Sequence, residues 1–393
     1  MAKPRKPALP TSLIHHPYQP PAGFAAPQPG VHKASTVIFA DTAAMHARTW
    51  KEKTGYTYGL HGTPTTFTLE ERIATLEGGR YTLLLPSGLA AITLVDASLL
   101  KAGDEVLLPH NVYNPSRELA RHELAQWGIA HRFYDPMDAA ALDAAIGPST
   151  RLVWIEPPGS VTMEFPDVPA LAGIARAKGA IVALDNTWGA GLAFQPFELG
   201  VDISMHALTK FPSGGGDVLM GAATTCDEAL HLRLKMTHMR MGWGVAANDA
   251  ETVLRSLPSM AVRYEAQDRS ARALAAWWAT RPEAARVLHP ALESSPGHAN
   301  WQRLCRGAGC LLSVVFHERI TTAQADAFVD ALQLFKIGYS WAGPMSLAVP
   351  YDVATMRPQA GIRGPLVRFS VGLEAVEDLV ADCEQALAVT FSR

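Results

Sequence analysis

Between residues 68 and 226, short apolar runs alternate with stretches whose apolar positions recur every three or four residues. Thr68–Glu77 has helical spacing and stops at Gly78-Gly79, a normal helix end. Tyr81–Leu85 then reads as a strand, and a helical run follows to Leu100. The same alternation continues: Glu105–Leu108 strand, Pro115–Trp127 helix, His131–Tyr134 strand, Asp138–Ile146 helix. An apolar strand from Leu152 and a helix over Pro169–Lys178 come next. Ile181–Asp185, Ile203–Leu208 and Leu219–Cys226 are the last short apolar runs. Strands that alternate with helices predict a mostly parallel sheet covered on both faces. The handedness of strand crossovers makes a doubly wound sandwich its natural topology.

Beyond that region the pattern changes. Residues 246–281 are helical with Pro258 interrupting, and read as a bridge to a second domain. Trp277 and Trp278 inside it read as packing residues. Pro296–Asn300 reads as a loop, Gly309–His317 as a strand and Ala323–Leu334 as a helix. A strand from Leu366 and a turn then precede a C-terminal helix. Residues 1–30 hold eight of the 28 prolines and read as an extended arm. The expected division is an arm over 1–60, a large α/β domain over 61–250, and a helical bridge with a smaller α+β domain over 251–393.

Composition narrows the function. The chain is long enough for two domains and is 48% hydrophobic and 18% charged, ordinary for a globular protein. A net charge of -3 leaves no basic surplus for neutralising phosphates, which argues against a nucleic-acid partner. No run of about 18 apolar residues occurs, so no membrane partner is expected. Lys3, Arg5 and Lys6 are followed by prolines and not by an apolar signal core. The four cysteines are scattered without metal-ligand spacing. They read as reduced thiols in a cytoplasmic enzyme, and no metal site is expected.

Candidate chemistry concentrates at two strand ends. One apolar run passes into Thr209-Lys210 and the glycine-rich turn Gly214–Gly216. Glycines free the backbone just where open α/β sheets bind ligands. A desolvated lysine there loses its charge and becomes a nucleophile, although lysines past strand ends are ordinarily solvated. Twenty-five residues upstream another run ends in Asp185-Asn186-Thr187. A lysine to hold an aldehyde and an aspartate to hold a pyridinium are what pyridoxal phosphate requires. A small-residue turn, Ser87-Gly88-Leu89, opens a helix and presents free N–H groups suited to an anion. Arg368 lies in an apolar strand, where an unpaired guanidinium is costly to bury.

Asp-Asn-Thr, a spacer, Thr-Lys and a glycine-containing turn resemble the Cys/Met-metabolism family of pyridoxal-phosphate enzymes. The likeness covers the chain from about residue 30 to its end. The segments Pro158-Gly159-Ser160-Val161-Thr162-Met163-Glu164 and Tyr339-Ser340-Trp341 are similar to those of bacterial cystathionine β-lyases. The resemblance implies an aspartate aminotransferase-like fold (fold type I): a large, mostly parallel seven-stranded sheet sandwich with a smaller C-terminal domain. It implies that Lys210 holds pyridoxal phosphate as a Schiff base and acts as catalytic base, with Tyr113 stacking on the ring and assisting proton handling. It assigns further cofactor contacts to Asp185, Thr187, Thr209, Ser87, Gly88, Leu89 and a second subunit's Tyr58. It assigns substrate contacts to Arg368, Ser340, Trp341, Ser160 and Tyr58.

The implied reaction is β-elimination of L-cystathionine to homocysteine, pyruvate and ammonia, by a homo-oligomer built as a dimer of dimers. Some positions depart from the family. Leu60 and Ala207 stand where an arginine and a serine bind the cofactor phosphate, with His61 or Ser87 as candidate substitutes. Leu89 replaces methionine, and Pro344 and Met345 also differ. A cysteine S-conjugate β-lyase, a cystathionine γ-synthase or γ-lyase, and a catalytically degenerate cofactor-binding paralogue are the competing readings.

Overall fold

The computed structural model describes Gly23 and residues 26–391. The predicted alternation resolves into seven strands: β1 (Tyr81–Leu85), β2 (Glu105–Pro109), β3 (Ala130–Tyr134), β4 (Thr150–Ile155), β5 (Ile181–Asp185), β6 (Ile203–His206) and β7 (Gly221–Thr225). They form one sheet in the order β1-β7-β6-β5-β4-β2-β3. Strands β2 to β6 run parallel, whereas β7 is antiparallel to both β6 and β1. Val106, Leu107, Leu152, Val153 and Val182 are fully buried, so the central strands are apolar on both faces. The chain leaves β2 for the edge strand β3 and returns to the other side of β2 as β4. That reversal, at the carboxyl ends of parallel strands, is where open α/β sheets place ligands.

Helix α1 (Pro64–Glu77) begins four residues before its expected start. Thr63 caps it by accepting from the Thr66 amide while Thr66 reaches back to the Thr63 amide, and Pro64 suits the first helical position. Helix α2 (Gly88–Leu99) follows β1 with Ser87 as its cap. The expected helix over 115–127 is broken: Asn114–Leu119 is α-helical and Ala120–Leu124 makes a π turn. Helix α3 (Val168–Ala177) leads into β5, and α4 (Glu228–Met241) follows β7.

The bridge is helical as expected, with a 3-10 turn at Leu257–Ser259 opening α5 (Met260–Trp278). Trp278 is fully buried against Phe316, Phe328 and Phe369, which makes it a core residue. The C-terminal sheet contains β8 (Ala284–Leu288), β9 (Leu311–Phe316), β10 (Lys336–Ile337), β11 (Leu347–Tyr351) and β12 (Leu366–Ser370), ordered β10-β11-β12-β9-β8. Helix α6 (Thr322–Ala331) packs on β11 and β12, and α7 (Val376–Phe391) packs against α5 and α6.

Strands β8, β10 and β11 were not expected. Pro350 breaks the strand pattern of β11, and β8 is exposed over its first half, so neither carries a clear apolar run. The expected loop at 296–300 instead turns into a short helix at His298. The proline-rich stretch falls mostly outside the described residues. Its described continuation is not purely extended, because Thr42–His46 is helical and Thr36 bridges to Tyr58.

Candidate active site

The carboxyl ends of β2, β4, β5 and β6 open onto a cavity of about 690 Å3. Lys210 sits one turn beyond β6. Burial, and next the Arg368 charge, lower its pKa to about 8. Its Nζ donates to Ser340 Oγ at 3.0 Å and lies 5.4 Å from the centre of the Trp341 ring. Two residues 130 or so positions downstream therefore wall the lysine.

Asp185 ends β5. Its Oδ1 accepts from the Thr187 amide at 2.9 Å, while Thr187 Oγ1 accepts from the Ala207 amide at 3.0 Å. Burial raises the pKa of Asp185 above the usual carboxylate value, against the bonds from Thr187. Among the described residues it has no salt-bridge partner, so a half-buried acid is left for a positive group. Behind it, at the end of α1, Glu77 collects three partners from different segments. Asn186 Nδ2 donates to it at 2.9 Å, Ser204 Oγ at 2.5 Å, and His206 Nδ1 lies at 2.9 Å.

The Ser87-Gly88-Leu89 turn lines the same cavity. Ser87 Oγ accepts from the Ala90 amide, which leaves the first amides of the twelve-residue helix α2 for an anion. Gly88 is required there, since a Cβ would come within 2.7 Å of Ala207 Cβ. Thr209 also lines the cavity, but its hydroxyl is committed to Met220: it accepts from the amide at 3.0 Å and donates to the carbonyl at 3.2 Å.

Arg368 reaches in from β12 and is 6% exposed. Its Nη2 donates to the carbonyls of Tyr339 and Ser340 at 2.8 and 3.3 Å, which fixes the guanidinium against the segment that also touches Lys210. Tyr113 stands at the mouth of the β2 loop, its phenol pKa raised by burial and by Asp185. Ser160 and Trp341 complete the lining.

One chain does not bring every expected residue together. Tyr58 is 48% exposed and lies outside the cavity. Leu60 and His61 lie in a separate depression, where His61 stacks on Trp50 and pairs with Thr57 Oγ1 at 2.8 Å. Met345 is also exposed and does not line the cavity. Among the described residues no cluster of metal ligands occurs.

The cavity also contains residues that the sequence alone did not single out for a role. Glu156 stands at the end of β4 as Asp185 does at the end of β5, and that strand-end position was its available signal. Its Oε2 accepts from the Tyr113 amide at 2.7 Å, and burial, then Asp185, push its pKa up to about 8. Arg357 and Tyr351 come from an irregular stretch and from strand β11, with no motif to mark them.

An amine with a lowered pKa, a half-buried carboxylate without a salt-bridge partner and open helix amides around one cavity fit the aldehyde, ring nitrogen and phosphate of pyridoxal phosphate. The fold and site define a pyridoxal-phosphate-dependent enzyme of the aspartate aminotransferase-like class. The chain belongs to the Cys/Met-metabolism family of these enzymes, and is a lyase of that family: the family described as Cys/Met metabolism PLP-dependent enzyme matches residues 10–388. A putative cystathionine beta-lyase of Rhizobium johnstonii is 42% identical over 93% of this chain and 92% of its own. A cystathionine beta-lyase of Bordetella avium is 39% identical over 96% of both. The solved structure of a cystathionine gamma-lyase from Lactobacillus plantarum complexed with L-serine superposes with a TM-score of 0.86 at 28% identity, covering 97% of this chain and 98% of that one. No helix among the described residues is long and apolar enough to cross a membrane.

Proposed function

We propose that the protein is a cystathionine β-lyase, cleaving L-cystathionine to homocysteine, pyruvate and ammonia. The observation that carries this reading is the meeting of Lys210 with Ser340 and Trp341 beside Arg368. The names borne by the Rhizobium johnstonii and Bordetella avium relatives support it. When bound, pyridoxal phosphate supplies an electron sink for the pair left on the substrate's α-carbon.

The chain supplies the rest. Asp185 would keep a proton on the ring nitrogen by offering that cation a half-buried carboxylate, and the α2 amides with Ser87 would hold the phosphate. Tyr113 would cover the ring face. Arg368 grips the α-carboxylate with a charge-assisted pair, which points the α-C–H bond at Lys210. Lys210, whose pKa of about 8 brings the neutral amine within reach, takes the α-proton at Nζ. The β-carbon–sulfur bond then breaks, the electron pair leaves with sulfur, and a proton held by Lys210 or the Tyr113 hydroxyl completes the thiol. The remaining three-carbon enamine takes up water and becomes pyruvate and ammonia. Ser160, Ser340 and Trp341 frame the sulfur side, with Tyr58 from a second subunit.

Product identification tests this. Protein loaded with pyridoxal phosphate and given L-cystathionine should release pyruvate with homocysteine. Cysteine with 2-oxobutyrate would move the chain to γ-elimination, the activity named for the Lactobacillus plantarum relative. No product from cystathionine, with pyruvate from an S-alkyl cysteine, would favour a cysteine S-conjugate lyase. A cofactor band unchanged by every substrate would mean a paralogue without turnover.

A further inference from the structure

Arg357 is 2% exposed, lines the cavity, and has no salt-bridge partner among the described residues. Burying an unpaired guanidinium is expensive unless its donors are met. Nε has no acceptor, but both Nη atoms are met, chiefly by main chain from two loops. Nη2 donates to the Val112 carbonyl at 2.7 Å, and Nη1 to the Ser160 carbonyl and to Thr162 Oγ1. Val112 precedes Tyr113 in the loop leaving β2, whereas Ser160 and Thr162 belong to the loop leaving β4. One side chain from the C-terminal domain thus ties together the loops that carry Tyr113 and Ser160.

The tied loop is strained. Val161 and Met163 have φ of 72° and 61°, in the left-handed region that a β-branched residue rarely enters. Gly159 packs so closely that a Cβ would sit 1.9 Å from Asn111 Nδ2. Such a conformation persists only where its surroundings over-determine it, and the Arg357 bonds bracket Val161 on both sides. The Ser160 amide adds a bond to the Asn111 carbonyl at 2.9 Å, and Glu164 Oε2 accepts from Asn111 Nδ2 and Thr162 Oγ1. Arg357 differs here from Arg368. Both Nη atoms of Arg357 are spent on protein, whereas Arg368 spends only Nη2 and keeps Nη1 for a ligand.

We propose that Arg357 is a positioning residue, clamping the β2 and β4 exit loops so that Tyr113 and Ser160 are held over the reacting atoms without itself touching substrate or cofactor. This rests on the lyase reading above. The test compares Arg357→Met and Arg357→Lys with the unaltered chain, by amide exchange and by turnover of L-cystathionine after loading with pyridoxal phosphate. In both variants exchange should quicken in the segments 110–113 and 159–163 while β5 and β6 stay protected. The cofactor band should be unchanged, because Lys210 and Asp185 keep their contacts. In Arg357→Met, kcat should fall about 100-fold with KM within about threefold, since misplacement by about 1 Å carries a loss of this size. Lysine, able to reach one loop but not both, should recover less than about a tenth of the unaltered kcat.

Unchanged exchange in both loops would overturn the clamp, whatever the activity. So would faster exchange with undiminished kcat, or a loss expressed in KM alone, which would make Arg357 a substrate ligand. If the unaltered chain does not turn over cystathionine, the reaction reading fails, while the exchange comparison still decides the clamp. If Arg357→Met does not fold, Arg357→Lys carries both readouts.

Discussion

At the scale of the residue, Lys210 joins the sequence to the chemistry. An ordinary lysine with a pKa of 10.5 is almost wholly charged near pH 7, whereas a pKa of about 8 leaves about a tenth of the amines neutral. The sign follows from burial, which disfavours the cation and so moves deprotonation to lower pH. Capture of pyridoxal phosphate by the stripped chain needs the neutral amine. Its rate should climb through pH 7 and level off above about pH 8, read by stopped-flow absorbance. A rate still rising beyond about pH 9 would contradict the lowered pKa. Lys210→Ala should lose the bound-cofactor band and nearly all turnover; a variant that keeps either would remove Lys210 from the centre of the site. Asp185 and Lys210 were legible because each ends an apolar run inside a short motif. Glu156 ends a run too, but only the folded chain puts it against the Tyr113 amide.

Elements explain why those strand ends stay in register. Glu77 is the last residue of α1, and in the sequence it reads only as the close of an amphipathic helix. In the fold it is fully buried and holds Asn186, Ser204 and His206, which flank Asp185 and precede Lys210. Glu77→Ala should leave these groups buried without their acceptor, at a cost of about 3 kcal/mol, since each unsatisfied group costs about 1–3 kcal/mol. Urea unfolding of the stripped chain would measure it, and a loss under about 1 kcal/mol would mean that the network is dispensable. The π turn at Ala120–Leu124 and strand β11 were illegible for a related reason. Neither carries a local periodicity that differs from its neighbours strongly enough to mark it.

The whole molecule poses the question of partners. Tyr58, Leu60 and His61 sit away from the cavity of their own chain, with Tyr58 half-exposed, while the site keeps only helix amides and small polar groups for a phosphate. We therefore expect a homo-oligomer, with Tyr58 completing a second subunit's site. Light scattering on the loaded enzyme should report a multiple of the chain mass, with a tetramer expected. A monomer that turns over would refute the shared site. Arg368 illustrates the same scale within one chain: its strand belongs to the smaller sheet, yet its guanidinium serves the ligand cavity of the larger one.

The sequence by itself determined the alternation of strands and helices, the parallel sandwich, and the Asp185–Lys210 pair. These depend on side-chain period and on motifs a few residues long, which propensity and turn chemistry express locally. Tertiary structure alone decided that Ser340 would meet Lys210, that Glu77 would anchor Asn186, Ser204 and His206, and that Arg357 would bind two loops at once. Those contacts join residues roughly 110 to 245 positions apart. Sheet order and domain docking bring them together, and no local preference of the chain encodes either.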